Sequence, residues 1–220
     1  RWNVENRRGA GHFTGSATRP DPAGPGLTNL LMELNMNLKD DLVRHYHWLR
    51  QYGLNDSHSG NASVRDGDAF WITPTGCCAD TLSSGDLVEC RLDGMIGKGA
   101  SMDARLHLAV YQANPEARAL LHSHGPYSVA MTMDNEEFFP ADFEGQLYFS
   151  RVPVLTIPYD QYATRSPRLV AEILADYPIA VVRGHGVYAC ADSLNLAYKW
   201  TCSLELSAKT AFIAQQAGKI

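Results

Sequence analysis

Apolar residues at positions 27, 30, 31, 34, 38, 42, 46 and 49 recur every three or four residues, the spacing that gathers them on one face of a helix. Gly53 supplies a stop signal, so the pattern predicts an opening helix over 27–52. The period then changes. Ala62 and Val64, and the run 69–72, are short and flanked by Gly and Asp, which predicts a hairpin turning at Arg65-Asp66-Gly67-Asp68. Val88, Cys90 and Leu92 alternate as a further strand, closed by the turn at Asp93-Gly94. Leu106, Val110 and Tyr111 mark a helix that runs up to Asn114-Pro115, and a strand over 119–122 follows at once. Pro126 suits the first position of another helix, where its missing N–H is not needed. Beyond it the pattern predicts a strand at 152–157, a helix at 167–175, a buried strand at 179–182 with a hairpin partner at 187–190, and a closing helix over 194–214. Helices and strands are mixed along the chain while the hairpins speak against a purely parallel sheet, so the chain reads as a layered α/β fold.

Composition narrows the picture without changing it. The 220 residues are 45% hydrophobic and 10% aromatic, enough for one full core. Residues 1–26 are rich in Gly, Pro and Arg with almost no periodicity, and they read as a disordered arm or an expression remnant ahead of one domain spanning 27–220. The formal charge of -5, with Lys and Arg scattered, gives no reason to expect nucleic acid as a partner. Five cysteines, at 77, 78, 90, 190 and 202, form no C-x-x-C pair, and their odd number suits a reducing, cytoplasmic setting. No stretch approaches 18 consecutive apolar residues and the first 25 residues lack the core of a signal peptide, so no membrane association is expected.

Candidate chemistry gathers at strand ends. His122-Ser123-His124 closes the run Ala119-Leu120-Leu121, and residues i and i+2 of a strand point to one face, so both imidazoles can meet one ion. Gly184-His185-Gly186 follows a second apolar run, and His185 would complete three nitrogen ligands with an open fourth position, the arrangement of a catalytic zinc site. Each motif also fits a plainer role, a hydrogen-bonded strand end and a tight turn. The remaining histidines have no comparable setting: His12 lies in the arm, His45 and His47 on the opening helix, His58 in a polar loop and His107 on a helix face. Around the trio sit Gly60-Asn61-Ala62-Ser63, Thr73-Pro74-Thr75-Gly76 and Ser101-Met102-Asp103. The first two are either ordinary turns or concavities suited to an anion. Asp103, at the start of a helix, either complements the helix dipole or acts as a metal ligand or acid/base.

Read in order, GNAS at 60–63, ITPTG at 72–76, S-x-D at 101–103 with RLHLAVYQANPEA, then HSH and a distant GHG, the chain resembles the class II aldolase/adducin family from about residue 27 to its end. The resemblance implies a three-layer α/β/α sandwich around a mostly antiparallel sheet, a homotetramer with active sites at subunit interfaces, and a divalent metal, typically zinc, with manganese, cobalt or iron as alternatives. It implies His122, His124 and His185 as metal ligands, Asp103 as the catalytic acid/base, and Asn61, Thr75, Gly76 and Ser101 around a substrate phosphate. The reaction implied is carbon–carbon cleavage of a small ketose phosphate or related hydroxy-carbonyl compound. Aldolases of this family read P-S-S-E where this chain has Ala100-Ser101-Met102-Asp103, and Met102 cannot donate a strong hydrogen bond to phosphate. An unphosphorylated hydroxy acid is therefore an alternative substrate, and decarboxylation or dehydration an alternative reaction. Asp103 and Ala141-Asp142-Phe143 resemble the family's sugar-phosphate 4-epimerase branch, although no tyrosine follows Tyr198. An adducin-like interaction scaffold is the non-enzymatic alternative, against which the retained histidines and carboxylate speak. Tyr148, Tyr159 and Tyr162 are expected to pack with a wet hydroxyl and stay outside the catalytic set.

Overall fold

The structure, a computed structural model, describes residues 37–220. The expected arm at 1–26 and positions 27–36 of the expected opening helix lie outside the described residues. The described part of that helix, α1, spans Leu38–Gln51 and buries Leu42, Val43, Tyr46 and Leu49 along one face. Strands β1 (Asn61–Asp66) and β2 (Ala69–Ile72) form the expected hairpin, with Gly67 at φ +60° in its turn. There follow β3 (Val88–Arg91), α2 (Ala104–Ala113), β4 (Ala119–Ser123) and the short α3 (Pro126–Ala130), which has Pro126 in its first turn. Two small elements, β5 (Glu137–Phe138) and α4 (Phe143–Tyr148), were not foreseen from the sequence. The chain continues through β6 (Val152–Leu155), α5 (Tyr162–Leu174), β7 (Ile179–Val182) and β8 (Gly186–Ala191), and ends in α6 (Leu194–Gln216).

Helix α5 begins five residues before the expected 167, and Pro167 lies inside it. The inward positions of its first turns carry Tyr162 and Ser166, which are polar, so apolar periodicity becomes visible only from Val170. The expected strand at 152–157 stops at Leu155.

The eight strands lie in the order β3-β2-β1-β4-β8-β7-β6-β5, and of these pairings only β6 with β7 is parallel. Alternation along each strand sorts side chains into two cores, as a period of two requires. On one face Phe70, Leu120, Val182 and Cys190 pack beneath α2 and α5. On the other, Ala62, Val64 and Leu121 meet α1, while Val152, Val181 and Ala189 meet α6. Each fully buried Leu or Val contributes about 1.5–3 kcal/mol relative to an exposed one, so a sheet covered on both faces is the arrangement this pattern stabilises. The result is the α/β/α sandwich around a mostly antiparallel sheet that the resemblance implied.

The topology also places the site. Asn61 in β1 pairs with His122 in β4, and His122 pairs with Tyr188 in β8. Three residues far apart in sequence therefore form one row across three neighbouring strands.

Candidate active site

His122, at the end of β4, is buried, and its Nδ1–H donates to the Val187 carbonyl at 3.0 Å. That bond fixes the tautomer and leaves Nε2 as a bare lone pair, the state a metal ligand needs. His122 Nε2 lies 3.0 Å from His124 Nε2 and 3.2 Å from His185 Nε2. The ligand atoms of all three residues fall within 4.8 Å of one another. Burial holds all three imidazoles below the ordinary value of 6.5, His124 at about 4 and His122 well down. Neutral imidazoles with converging lone pairs form a donor set that fits a divalent cation such as zinc.

The backbone around the trio is held from two sides. Asn55 accepts the His124 N–H at 3.0 Å and donates to the His122 carbonyl at 3.4 Å. Gly186 packs so closely that a Cβ there would press on the Ser123 carbonyl oxygen and lie 2.6 Å from His124 Cδ2 and 2.9 Å from His122 Cε1. The glycines of GHG thus have unequal jobs: Gly184 turns at φ +66°, while Gly186 makes room for two imidazoles.

Asp103, just ahead of α2, sits beside this trio with its carboxylate oxygen 3.9 Å from His122 Nε2. Its Oδ2 accepts from Asn61 Nδ2 at 2.9 Å and from the Tyr188 hydroxyl at 3.0 Å, and its Oδ1 accepts from the Tyr162 hydroxyl at 3.0 Å. Burial pushes this carboxyl up, but His122, Asn61, His107 and Tyr162 outweigh it and hold the group ionised below the ordinary 3.8. The two phenol oxygens also contact each other. Burial and the Asp103 charge raise both phenols, so they remain donors. The Tyr188 ring stacks on His122 at 4.0 Å with an interplanar angle of 1°. Tyr162 meets His185 edge-on at 4.6 Å.

A directed chain of hydrogen bonds supports Asp103 from behind. An ionised carboxylate only accepts, so Asn61 must present Nδ2 to it and turn Oδ1 towards His107 Nε2 at 2.6 Å. His107 must then carry its proton on Nε2, and its Nδ1 accepts from Ser63 Oγ at 2.6 Å. Ser63 in turn accepts from Tyr111 at 2.7 Å. Burial lowers His107 to about 4, which keeps this chain neutral.

The histidines and Asp103 line a cavity of about 610 Å³, together with Asn61, Thr75, Gly76, Cys77, Ser101, Met102 and Tyr162. That volume suits a small molecule. Ser101 is buried and accepts the Asp103 N–H at 3.2 Å, while Thr75, Gly76 and the 89% exposed Met102 are exposed residues of the cavity lining. Asn61, expected beside a phosphate, lines the cavity with its amide held between Asp103 and His107. Sequence reasoning missed Asn55, Tyr162, Tyr188 and His107. Tyr162 packs against the core beneath α2 and α5, as expected, but its hydroxyl is held on Asp103, and His58, in the expected loop, lines the cavity. Asp142, from the epimerase-like segment, caps α4 by accepting the Gly145 N–H at 2.9 Å and is absent from this cavity's lining.

Comparison with known proteins converges on one group. Residues 40–212 match the family described as Class II Aldolase and Adducin N-terminal domain. An L-fuculose phosphate aldolase of Methanocaldococcus jannaschii is 30% identical over 68% of this chain and 82% of its own. A 3-oxo-tetronate 4-phosphate decarboxylase of Escherichia coli is 28% identical over 82% of this chain and 89% of its own. The crystal structure of L-fuculose-1-phosphate aldolase from Thermus thermophilus superposes with a TM-score of 0.77 at 34% identity, over 82% of this chain and 95% of that one.

Proposed function

The chain belongs to the class II aldolase and adducin family, and from that membership we propose a metal-dependent lyase that splits a small ketose phosphate or related hydroxy-carbonyl compound into an aldehyde and a ketone. The observation that carries this reading is the convergence of three neutral imidazoles beside a fixed carboxylate on the wall of one cavity. His122, His124 and His185 would hold the ion, zinc by preference, with manganese, cobalt or iron as alternatives of similar ligand preference. A bound divalent cation supplies Lewis acidity towards a carbonyl and its neighbouring hydroxyl.

This chain's own residues then do the rest. Asp103 is the group that takes up and returns the proton, and Asn61, braced by His107, keeps its carboxylate facing the cavity. Thr75, Gly76 and Ser101 form the wall that would receive a phosphate or another polar end of the substrate. Two enzymatic relatives with different names bear on the reaction, because cleavage and decarboxylation both leave an enolate. The greater extent of this chain matched by the E. coli decarboxylase keeps decarboxylation as the second reading. The retained histidine trio and carboxylate weigh against a scaffold.

The proposed setting is the cytoplasm, which five free thiols among the described residues favour. Among the described residues no helix is long and apolar enough to cross a membrane. Self-association, as a tetramer, is supported by exposed apolar pairs on adjoining helices, Phe143 with Leu147 on α4 and Leu206 with Ile213 on α6.

The test is metal analysis of the purified protein, followed by incubation of metal-loaded and chelator-stripped samples with L-fuculose 1-phosphate and with a 3-oxo acid phosphate. Metal-dependent release of an aldehyde is the expected result. Release of carbon dioxide instead would establish the second reading, and turnover undiminished by complete metal removal would overturn both.

A further inference from the structure

Asp103 is one methylene shorter than the glutamate that family aldolases carry at this position, and its carboxylate is covered by three donors. The two phenols among those donors differ in one respect that matters. Tyr188 is fully buried within the sheet and takes no part in the cavity wall, whereas Tyr162 is part-exposed and lines the cavity. A phenol that donates its proton to a carboxylate keeps lone pairs for a second partner. On Tyr162, beside its contact with the Tyr188 hydroxyl, a further partner can be a substrate hydroxyl, because Tyr162 at the start of α5 lines the same cavity as the Asp103 carboxylate it holds.

Resting on the lyase reading above, we propose that Tyr162 is a catalytic residue of this site, the relay that carries the proton between substrate and Asp103. In cleavage, the hydroxyl of the departing fragment gives its proton to Tyr162 Oη as the phenol's own proton passes to Asp103 Oδ1. The hydroxyl oxygen becomes the aldehyde carbonyl, and the electron pair of the broken carbon–carbon bond stays on the other fragment as its enolate. The proton then returns from Asp103 to Tyr162 while the phenol proton passes to the enolate carbon, giving the ketone. One proton leaves oxygen and one arrives at carbon, so the residues end as they began.

The experiment compares Tyr162→Phe and Tyr188→Phe, both loaded with metal and checked for metal content and thermal stability. Steady-state cleavage of L-fuculose 1-phosphate is measured alongside deuterium uptake from D2O into dihydroxyacetone phosphate, the ketone fragment of that cleavage. Removing a positioned acid/base lowers rate by roughly 10²–10⁴-fold. Tyr162→Phe is therefore expected to lose about 100-fold or more in kcat and in deuterium uptake, with KM and metal content little changed. Tyr188→Phe is expected to keep deuterium uptake within about tenfold, as befits a group that only steadies the carboxylate. Equal losses in the two variants, or uptake retained in Tyr162→Phe, would overturn the relay while leaving the lyase reading intact. Absence of both cleavage and uptake in the metal-loaded parent protein would overturn the lyase reading and the relay with it.

Discussion

The proposed chemistry turns on Asp103, and what surrounds that side chain decides what a substitution does. Asp103→Asn keeps the shape but turns an NH2 group towards donors that need an acceptor. The expected outcome is a folded protein whose kcat falls at least about 100-fold, read from steady-state rates beside an unchanged circular dichroism spectrum. His107→Ala acts one step further back. It leaves the buried Asn61 Oδ1 without its donor, while Ser63 Oγ keeps Tyr111, and an unsatisfied buried group costs about 1–3 kcal/mol, so urea denaturation is expected to show a clear loss of stability as well as of rate. The three converging histidines and Asp103 stand out in the sequence because each lies in a short, recognisable motif. Tyr162, Tyr188, Asn55 and His107 do not, because the atoms they serve lie 59, 85, 67 and 46 residues away. No local pattern encodes a contact of that separation, and an inward tyrosine in a strand is indistinguishable from core until its partner is known.

Elements show the same division between what a window of sequence can and cannot reveal. Apolar runs bounded by turns and long helical stretches were legible: the short β2 and β7 and the longer α2 and α6 fall within two residues of their expected bounds. A two-residue β5 and a six-residue α4 are too short to establish a period, and α5 hides its first turns behind polar inward residues. Two junctions between elements should be sensitive. Gly186 opens β8 against the end of β4, and Gly186→Ala would force the imidazoles of His122 and His124 apart. Its expected effect is a loss of bound metal at equal protein concentration, measured by mass spectrometry of the metal after gel filtration. Glu205, in the middle of α6, accepts the N–H groups of Tyr127 and Ser128 at 3.0 and 2.9 Å and so caps α3 immediately after His124. Losing such a cap costs about 0.5–2 kcal/mol, and Glu205→Ala is expected to lower the melting temperature, while Glu205→Gln, which still accepts, retains most of it.

At the scale of the whole molecule, stability and catalysis draw on the same buried polar network. His107 is neutral in the fold with its pKa at about 4, against 6.5 for a free imidazole, so the unfolded chain binds more protons between these values. The stabilisation is complete above pH 6.5 and is lost as pH falls towards 4, about 3 kcal/mol in all. Urea midpoints at pH 7 and pH 4.5 should differ in that sense, and equal midpoints would contradict it. The overall sandwich was legible from the mixture of hairpins and helices together with the motif order, but the strand order was not, because nothing local says that β4 lies between β1 and β8. That placement carries a consequence for how the chain folds. The row Asn61, His122, Tyr188 exists only at one alignment of three strands. A slip of one residue in β4 turns His122 to the opposite face and presents Leu121 in its stead. A misaligned chain would therefore lack the histidine trio, and if the trio holds a metal as proposed, uptake during refolding would serve as a built-in proofreader, retaining by mass action the chains whose central strands have found their partners.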